Sequence, residues 1–264
     1  MDIKELVRKC LKPIEGDIRI TEGAIDTSES QQAESRAFWT TALSMNFSLD
    51  FFTYNQVRRI MPKGIIDLGC GNMDLLRGIR RHRMITPYVG IDIRVQNTGD
   101  KDARFLQCNF SDHWPLRKSS VPCIVFQEVL EHMTREEGDR VLKRIARSLE
   151  PGGSLILTTP LETGRRNMER DLKRYGHLYY WSQEELEGRL NDLNLVPEVA
   201  FRTRFLGDRI SEEEVRKACL DTYAHDGFLD PLFIRFGSQV VGAMFSHLVP
   251  DNKVTGYQAV WRQQ

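Results

Sequence analysis

Charge of one sign is not in excess. The chain has 37 Lys and Arg against 37 Asp and Glu, a formal net charge of zero. Proteins that grip nucleic acid through its phosphates usually carry a basic surplus, so composition lends that class of partner no support. No Cys-x-x-Cys pair is present. The five cysteines, Cys10, Cys70, Cys108, Cys123 and Cys219, are odd in number, and Cys70, Cys108 and Cys123 lie in or beside apolar, strand-like runs. This argues against a disulfide framework or a zinc site and fits reduced, buried thiols. No apolar run approaches the length of a membrane span. The amino terminus, MDIKELVRKCLKP, scatters charges among its apolar residues and holds no apolar signal core. A soluble cytoplasmic protein is expected. Repeats and low-complexity tracts are missing too, and 264 residues suffice for one large α/β domain with extra helices.

What the chain does have is a change of texture near residue 64. Before it, Ile3, Leu6, Val7, Cys10 and Leu11 fall at helical spacing, stopped by Pro13. Residues 15–30 are polar and turn-like. Helical stretches follow at about 31–46 and 49–61, with the aromatics Phe38, Trp39, Phe47, Phe51, Phe52 and Tyr54 in or beside them. From 64 onward, short apolar runs at 64–70, 87–93, 104–109, 123–129 and 154–159 alternate with helical segments near 74–84 and 134–149. That alternation signals a parallel sheet with helices on both faces, and wholly apolar runs suit strands covered on both sides. Capping boxes are expected at Thr134 with Glu137, Ser182 with Glu185 and Ser211 with Glu214. Pro151-Gly152-Gly153 reads as a turn leading into the strand at 154. Residues 196–206 read as a strand, 211–224 and 230–248 as helices, and 256–261 as a last strand.

The fold expected is therefore α/β: a Rossmann-like, seven-stranded, mostly parallel sheet with amino-terminal helices and a helical insertion before the last strand. The divisions are 1–60 (amino-terminal helical segment), 61–207 (cofactor-binding core), 208–250 (helical insertion or lid) and 251–264 (final strand of the core).

Ile65-Ile66-Asp67-Leu68-Gly69-Cys70-Gly71 is an apolar strand ending in an acid and two alternate glycines. A strand-to-helix turn that brings backbone against a ligand needs glycine for its dihedrals and for the close approach. Asp67 at the strand end can fix a ribose or an amino group. A dinucleotide-binding fingerprint needs a third glycine three positions after Gly71, and Asp74 stands there.

The segment resembles the first motif of class I S-adenosylmethionine-dependent methyltransferases. Further likenesses follow in order: Tyr88–Ile93 to the second strand, Phe105–Phe110 to the third, Trp114-Pro115-Leu116 to the step after it, Phe126–His132 to the fourth strand and its loop, and Leu149–Gly153 to the turn before the fifth. The resemblance covers about 60–205 and the last strand. It implies S-adenosylmethionine as cofactor, with Asp92 accepting from both ribose hydroxyls and Asn109 near the adenine amino group. Asp67, Gly69, Cys70, Gly71, Ile93, Phe110 and Gln127 complete the implied cofactor set. Asp92 lies at the distance after Gly71 expected of a ribose-reading acid. Two departures stand out: Met73 replaces a frequent third glycine, and the acid that often opens the fourth strand is replaced near Pro122 and Cys123.

Methyl transfer is an in-line displacement in which the cofactor supplies electrophile and leaving group, while the protein positions the acceptor, excludes water and removes a proton. Candidate catalytic residues are Glu128, Glu131 and His132 after the fourth strand, and His177 before the helix capped by Ser182. In one reading, His132 or His177 is a general base or orients the acceptor. In another, Glu128, Glu131, His132 and His177 form a divalent-metal site. That set resembles the small-RNA 3′-terminal 2′-O-methyltransferases, and a Glu-x-x-Glu-His segment also recurs in ubiquinone-pathway O-methyltransferases. In a third, the same residues only fasten the loop, since both ligand types also make structural hydrogen bonds. The basic stretch 164–177 reads either as a greeter of a phosphate, a carboxylate or an RNA backbone or as a solvated loop, which Glu169 and Asp171 favour. His82, His113 and His247 read as surface or packing residues.

The functional expectation is a methyltransferase acting on an O or N acceptor of a small molecule or peptide. A metal-assisted RNA 2′-O-methyltransferase is the alternative, and a non-catalytic cofactor-binding protein is a third reading. Nucleic acid is a less favoured partner and no membrane association is expected.

Overall fold

A computed structural model describes residues 1–13, 19–21, 47–81, 83–94, 100–162, 176–203, 211–245 and 256–264. The helical stretch expected at 31–46, Phe38 and Trp39 included, lies outside the described residues, as do His82 and His247.

The chain opens with α1 (Ile3–Cys10), whose first turn is capped by the Asp2 carboxylate accepting from the Glu5 N–H at 2.8 Å. A three-residue strand, β1 (Arg19–Thr21), follows, where the polar composition suggested only turns. It forms because the outer edge of the core needs a partner: β1 pairs antiparallel with β4 (Ala103–Gln107). Then come α2 (Phe47–Ile60), β2 (Ile65–Leu68), α3 (Asp74–Arg81), β3 (Tyr88–Asp92), β4, β5 (Val121–Gln127), a single 3-10 turn at Leu130–His132, α4 (Arg135–Ser148) and β6 (Leu149–Pro160). The chain ends with α5 (Gln183–Asp192), β7 (Leu195–Thr203), α6 (Glu212–Tyr223), α7 (Leu229–Met244) and β8 (Gly256–Gln263).

The sheet order is β1-β4-β3-β2-β5-β6-β8-β7. The five strands β4, β3, β2, β5 and β6 are parallel, and β8 lies antiparallel between β6 and β7. The seven expected strands are all present, with β1 as an addition at the edge. The Pro151-Gly152-Gly153 turn is found inside β6. Its pairing with β5 jumps from Val121–Leu149 to Cys123–Ser154, so the turn is a bulge in a longer strand, with Gly152 at φ 74°.

Burial explains the pattern of runs. All four residues of β2 and all five of β3 are buried. On one face Ile66, Leu68, Val89, Ile91, Ile124 and Phe126 pack with α1, α4 and α5. On the other Ile65, Tyr88, Phe105, Cys123 and Val125 pack with α2 and α3. Alternate residues of each strand serve opposite faces. The insertion has its own small core of Val215, Cys219, Leu229 and Val241, and α7 lies against α2.

Strand direction along the sheet positions everything that follows. β3 lies on one side of β2 and β5 on the other, so consecutive connections depart in opposite directions and leave a crevice at the carboxyl ends of β2 and β5. Among the described residues, no helix is long and apolar enough to cross a membrane.

Candidate active site

The crevice is built first by backbone. After β2 the chain turns through Gly69 at φ 76° and Gly71 at φ 51°, and the N–H groups of Gly69 and Cys70 both donate to Ile91 O, at 2.7 and 3.3 Å. A Cβ on Gly69 would collide with the Val129 side chain, which covers the turn from the β5 side. Met73, the residue in place of a third glycine, keeps a glycine-like backbone at φ 61° while its side chain is buried among the apolar residues of the α3 face. The turn therefore holds its shape without that glycine.

Two acids meet the turn. Asp92, at the end of β3 and 6% exposed, accepts from the Gly71 N–H at 3.0 Å through Oδ2 and from the Arg94 N–H at 3.0 Å through Oδ1. Asp67 is also buried and accepts from the phenol of Tyr88. Burial first, then the Asp67 charge, raises the Tyr88 phenol well above its ordinary value, so it stays a donor. The Cys70 thiol is likewise pushed up by burial and then by the charges of Asp67 and Asp92. Asp74, which opens α3, is raised by burial against the opposing pull of Arg77.

The other expected cofactor residues divide. Ile93, just past β3, exposes its side chain beside Asp92, as an apolar shelf would. Gln127 ends β5, half-buried. Asn109 is held in its own turn, Oδ1 accepting from the Ser111 N–H at 3.2 Å and Nδ2 donating to Asp112 at 2.7 Å. The Phe110 ring does not face a crevice but packs in the core, edge-on to Trp114 and Phe126 with centroids 6.4 and 6.3 Å away. Only its backbone remains for a ligand.

The catalytic candidates gather after β5. Glu128 sits at φ 52°, its N–H donating to Thr158 O at 2.9 Å and its carboxylate accepting from the Thr158 hydroxyl at 3.0 Å. Glu131 is 1% exposed, and its carboxylate accepts from the Thr159 hydroxyl at 3.0 Å. Its backbone carbonyl accepts from the N–H groups of Leu178 and Tyr179, at 2.7 and 3.3 Å, and so ties the segment bearing His177 to the end of β5. His132 Nδ1 lies 3.1 Å from Gly176 O. A carbonyl can only accept, so Nδ1 carries a proton, and in the neutral ring the lone pair is on Nε2. His177 Nδ1 lies 2.6 Å from the Tyr180 hydroxyl.

Ligand atoms of Glu131, His132 and His177 lie within 4.8 Å of one another. That convergence holds three of the four residues in the set expected from the sequence, and Glu128 is not among them. Among the described residues this is the one such group of histidine, cysteine and acidic side chains. Two imidazoles and a carboxylate can act as a base with orienting groups, or ligate a transition metal. Of the basic stretch 164–177, only Gly176 and His177 are described.

Sequence reasoning missed Tyr88, Thr158, Thr159 and Tyr180. A tyrosine in an otherwise apolar buried strand was a signal that its hydroxyl needs a partner. The threonine pair ends the strand beside β5, but its partners depend on register, which no local pattern discloses.

The Ser182 cap is half of what was expected. Its hydroxyl accepts from the Glu185 N–H at 3.1 Å, but the Glu185 carboxylate turns outward to Arg135 at 2.6 Å and the Tyr179 hydroxyl at 2.9 Å. The boxes at Thr134 and Ser211 are complete.

Comparison with known proteins gives three findings. A family described as "Methyltransferase domain" matches residues 48–198. A search of curated proteins by sequence finds no match. Solved structures share the fold. The 1,6-didemethyltoxoflavin-N1-methyltransferase of Burkholderia thailandensis is 12% identical, with a TM-score of 0.53, over 96% of this chain and 99% of that one. The geranyl diphosphate C-methyltransferase of Streptomyces coelicolor is 13% identical, with a TM-score of 0.50, over 80% and 79%. A SAM-dependent methyltransferase of Archaeoglobus fulgidus is 12% identical, with a TM-score of 0.50, over 81% and 94%. At these identities the likeness is one of fold.

Proposed function

Because this chain belongs to the methyltransferase-domain family and is an S-adenosylmethionine-dependent methyltransferase, we propose that it methylates an O or N atom of a small molecule or peptide, with His132 and His177 at the reacting centre. The observation that carries the proposal is the clasp of Asp92 on the Gly71 N–H beside the switch point of the sheet. It fixes a carboxylate at the crevice edge beside the glycine turn, where a flexible Arg94 side-chain end is the nearest group over Gly71, and this acceptor and cradle set fits a nucleoside with two adjacent hydroxyls.

The bound cofactor supplies a methyl group on a sulfonium and leaves as a neutral thioether. The protein's own part is placement and proton removal. Asp92 and the turn hold the nucleoside, and Ile93 offers an apolar surface to its base. His132, with Nδ1–H fixed on Gly176 O, presents Nε2 to take the acceptor's proton as the acceptor attacks. Glu131, buried and held by Thr159, lies beside that ring and stabilises the positive charge it gains. A similarly folded N-methyltransferase has a small heterocycle bound, which supports an organic acceptor of that size class.

A second reading rests on the convergence of Glu131, His132 and His177. Held there, a divalent ion would lower the pKa of an acceptor hydroxyl, as required for metal-assisted 2′-O-methylation of RNA.

The test is calorimetry with S-adenosylmethionine and S-adenosylhomocysteine, followed by turnover on panels of hydroxy acids, amines, phenols, peptides and RNA 3′ ends, with and without chelator. Turnover on an organic or peptide acceptor that survives chelation supports the first reading. Metal-dependent turnover on RNA selects the second. Binding without turnover on any class makes the protein a non-catalytic cofactor binder.

A further inference from the structure

The charges at the crevice mouth are unequal. Asp67 and Asp92 both bear on Cys70, and Arg94 is the cation that opposes them there. Arg94 follows β3 by two residues and its side chain is 62% exposed. Exposed as it is, that side chain bends back on the acid: its Nε lies 3.3 Å from Asp92 Oδ1. Its Nη2 reaches to 3.5 Å from the point where a Cβ on Gly71 would stand. The guanidinium therefore arches from the acid of β3 to the glycine turn of β2. Both oxygens of Asp92 already have partners, Oδ2 the Gly71 N–H and Oδ1 the Arg94 N–H and Nε.

We infer that Arg94 is a strap across the nucleoside crevice, competing with the ribose hydroxyls for Asp92 and so setting the affinity for the cofactor. The inference rests on the cofactor reading proposed above. The two backbone N–H donors to Asp92 belong to the turns themselves and stay in place. The side-chain contact is the one a ribose must displace, because Nε occupies Oδ1 while Nη2 lies over Gly71. An exposed ion pair is weak, so the strap lowers affinity by a small factor and does not close the site. Screening by salt loosens it further.

The experiment is calorimetry on the full chain and on Arg94→Gln, with S-adenosylhomocysteine and with adenosine, at about 20 mM and about 300 mM NaCl. Adenosine carries no charge, so salt acts on the strap and not on the ligand. The expected result is a Kd about two- to five-fold lower in Arg94→Gln for both ligands by the same factor. Wild-type affinity for adenosine rises about two-fold with salt while that of the variant stays flat. Equal or weaker binding of both ligands by the variant overturns the strap. Weaker binding of S-adenosylhomocysteine with adenosine unchanged also overturns it, and assigns Arg94 to the ligand's amino-acid carboxylate. Wild-type protein that takes up neither ligand overturns the cofactor reading and the strap with it. Wild-type binding without the variant's gain overturns the strap alone.

Discussion

His132 and His177 meet edge to face, ring centroids 4.8 Å apart and planes at 78°, although one follows β5 and the other precedes α5. The contact is set from both sides: Gly176 O fixes the first ring and the Tyr180 hydroxyl the second. Orientation of this kind is what a proton-transfer group requires. Neither ring lies in the turn that would hold the nucleoside, so chemistry and cofactor binding separate on mutation. His132→Ala and His177→Ala are each expected to lower turnover by about 100- to 10,000-fold, the range of general acid–base catalysis. S-adenosylhomocysteine affinity should stay within about two-fold of wild type. Steady-state rates and calorimetry check this, and wild-type rates in both variants retire the pair from the chemistry.

Chelation separates the two readings of the same three side chains. If His132 Nε2 is the base, extensive dialysis against EDTA leaves turnover unchanged, and that is the expected outcome. Two imidazoles and a carboxylate can hold first-row divalent ions such as zinc, cobalt or manganese. Loss of activity on chelation, with recovery on adding back one of these ions, replaces the base by a metal-activated acceptor.

Asp92→Ala removes a buried carboxylate that can accept from both hydroxyls of a ribose. Hydrogen bonds to a charged group contribute about 1.5–3 kcal/mol each. For two such bonds the expected loss of cofactor affinity is therefore about 100- to 10,000-fold, read by calorimetry. A circular dichroism melt distinguishes this from unfolding, since Asp92 also steadies the Gly71 turn. Unchanged affinity would place the ribose elsewhere.

Most of the fold could be read from periodicity, because β2 and β3 are buried on both faces and so read as short, mainly apolar runs. What could not be read follows from pairing across the sheet. Arg19–Thr21 has no apolar signal of its own and becomes a strand only because β4 offers an edge. Pro151-Gly152-Gly153 has the chemistry of a turn, and only the register of β5 against β6 makes it a bulge. The site divides in the same way. Asp92 and the glycine turn could be matched by the spacing between two successive strands, whereas the hydrogen bonds of Thr159 to Glu131 and of Tyr88 to Asp67 depend on strand register. Phe110 shows the converse: proximity in sequence to the motif did not decide which way its ring points.

The two glycines of the turn should respond differently to alanine. Both have positive φ, which strains any L side chain by about 1 kcal/mol or more. At Gly69 the new methyl also meets Val129, whereas at Gly71 it meets only the mobile end of Arg94, at 3.5 Å. Gly69→Ala is therefore expected to destabilise by about 2–4 kcal/mol and Gly71→Ala by about 1 kcal/mol, measured by urea unfolding. Equal losses would mean that Val129 yields freely.

Buried thiols make stability fall at alkaline pH. Burial pushes Cys10 up from 9.0 to about 11, with Lys9 opposing and Glu150 adding, and its Sγ lies 3.2 Å from Ser120 O. Burial pushes Cys123 up from 9.0 to about 12. All five cysteines are buried and free. A group whose folded pKa is raised holds its proton in the native state after the unfolded chain has released it. Its contribution is fully present below pH 9 and is lost as pH rises toward 11 for Cys10 and 12 for Cys123. Within that window each such thiol lowers unfolding free energy by about 1.4 kcal/mol per pH unit. Denaturant midpoints should be flat in this respect from pH 7 to 8.5 (about the usual assay range) and fall steeply above 9. Cys123→Ala should flatten part of that fall. At pH 8 the native protein should react only slowly with a disulfide reagent such as Ellman's, because the nucleophile is the thiolate, whereas the unfolded chain should titrate all five thiols at once. Rapid reaction of the native protein would mean that these thiols are more accessible, or more ionised, than their burial allows.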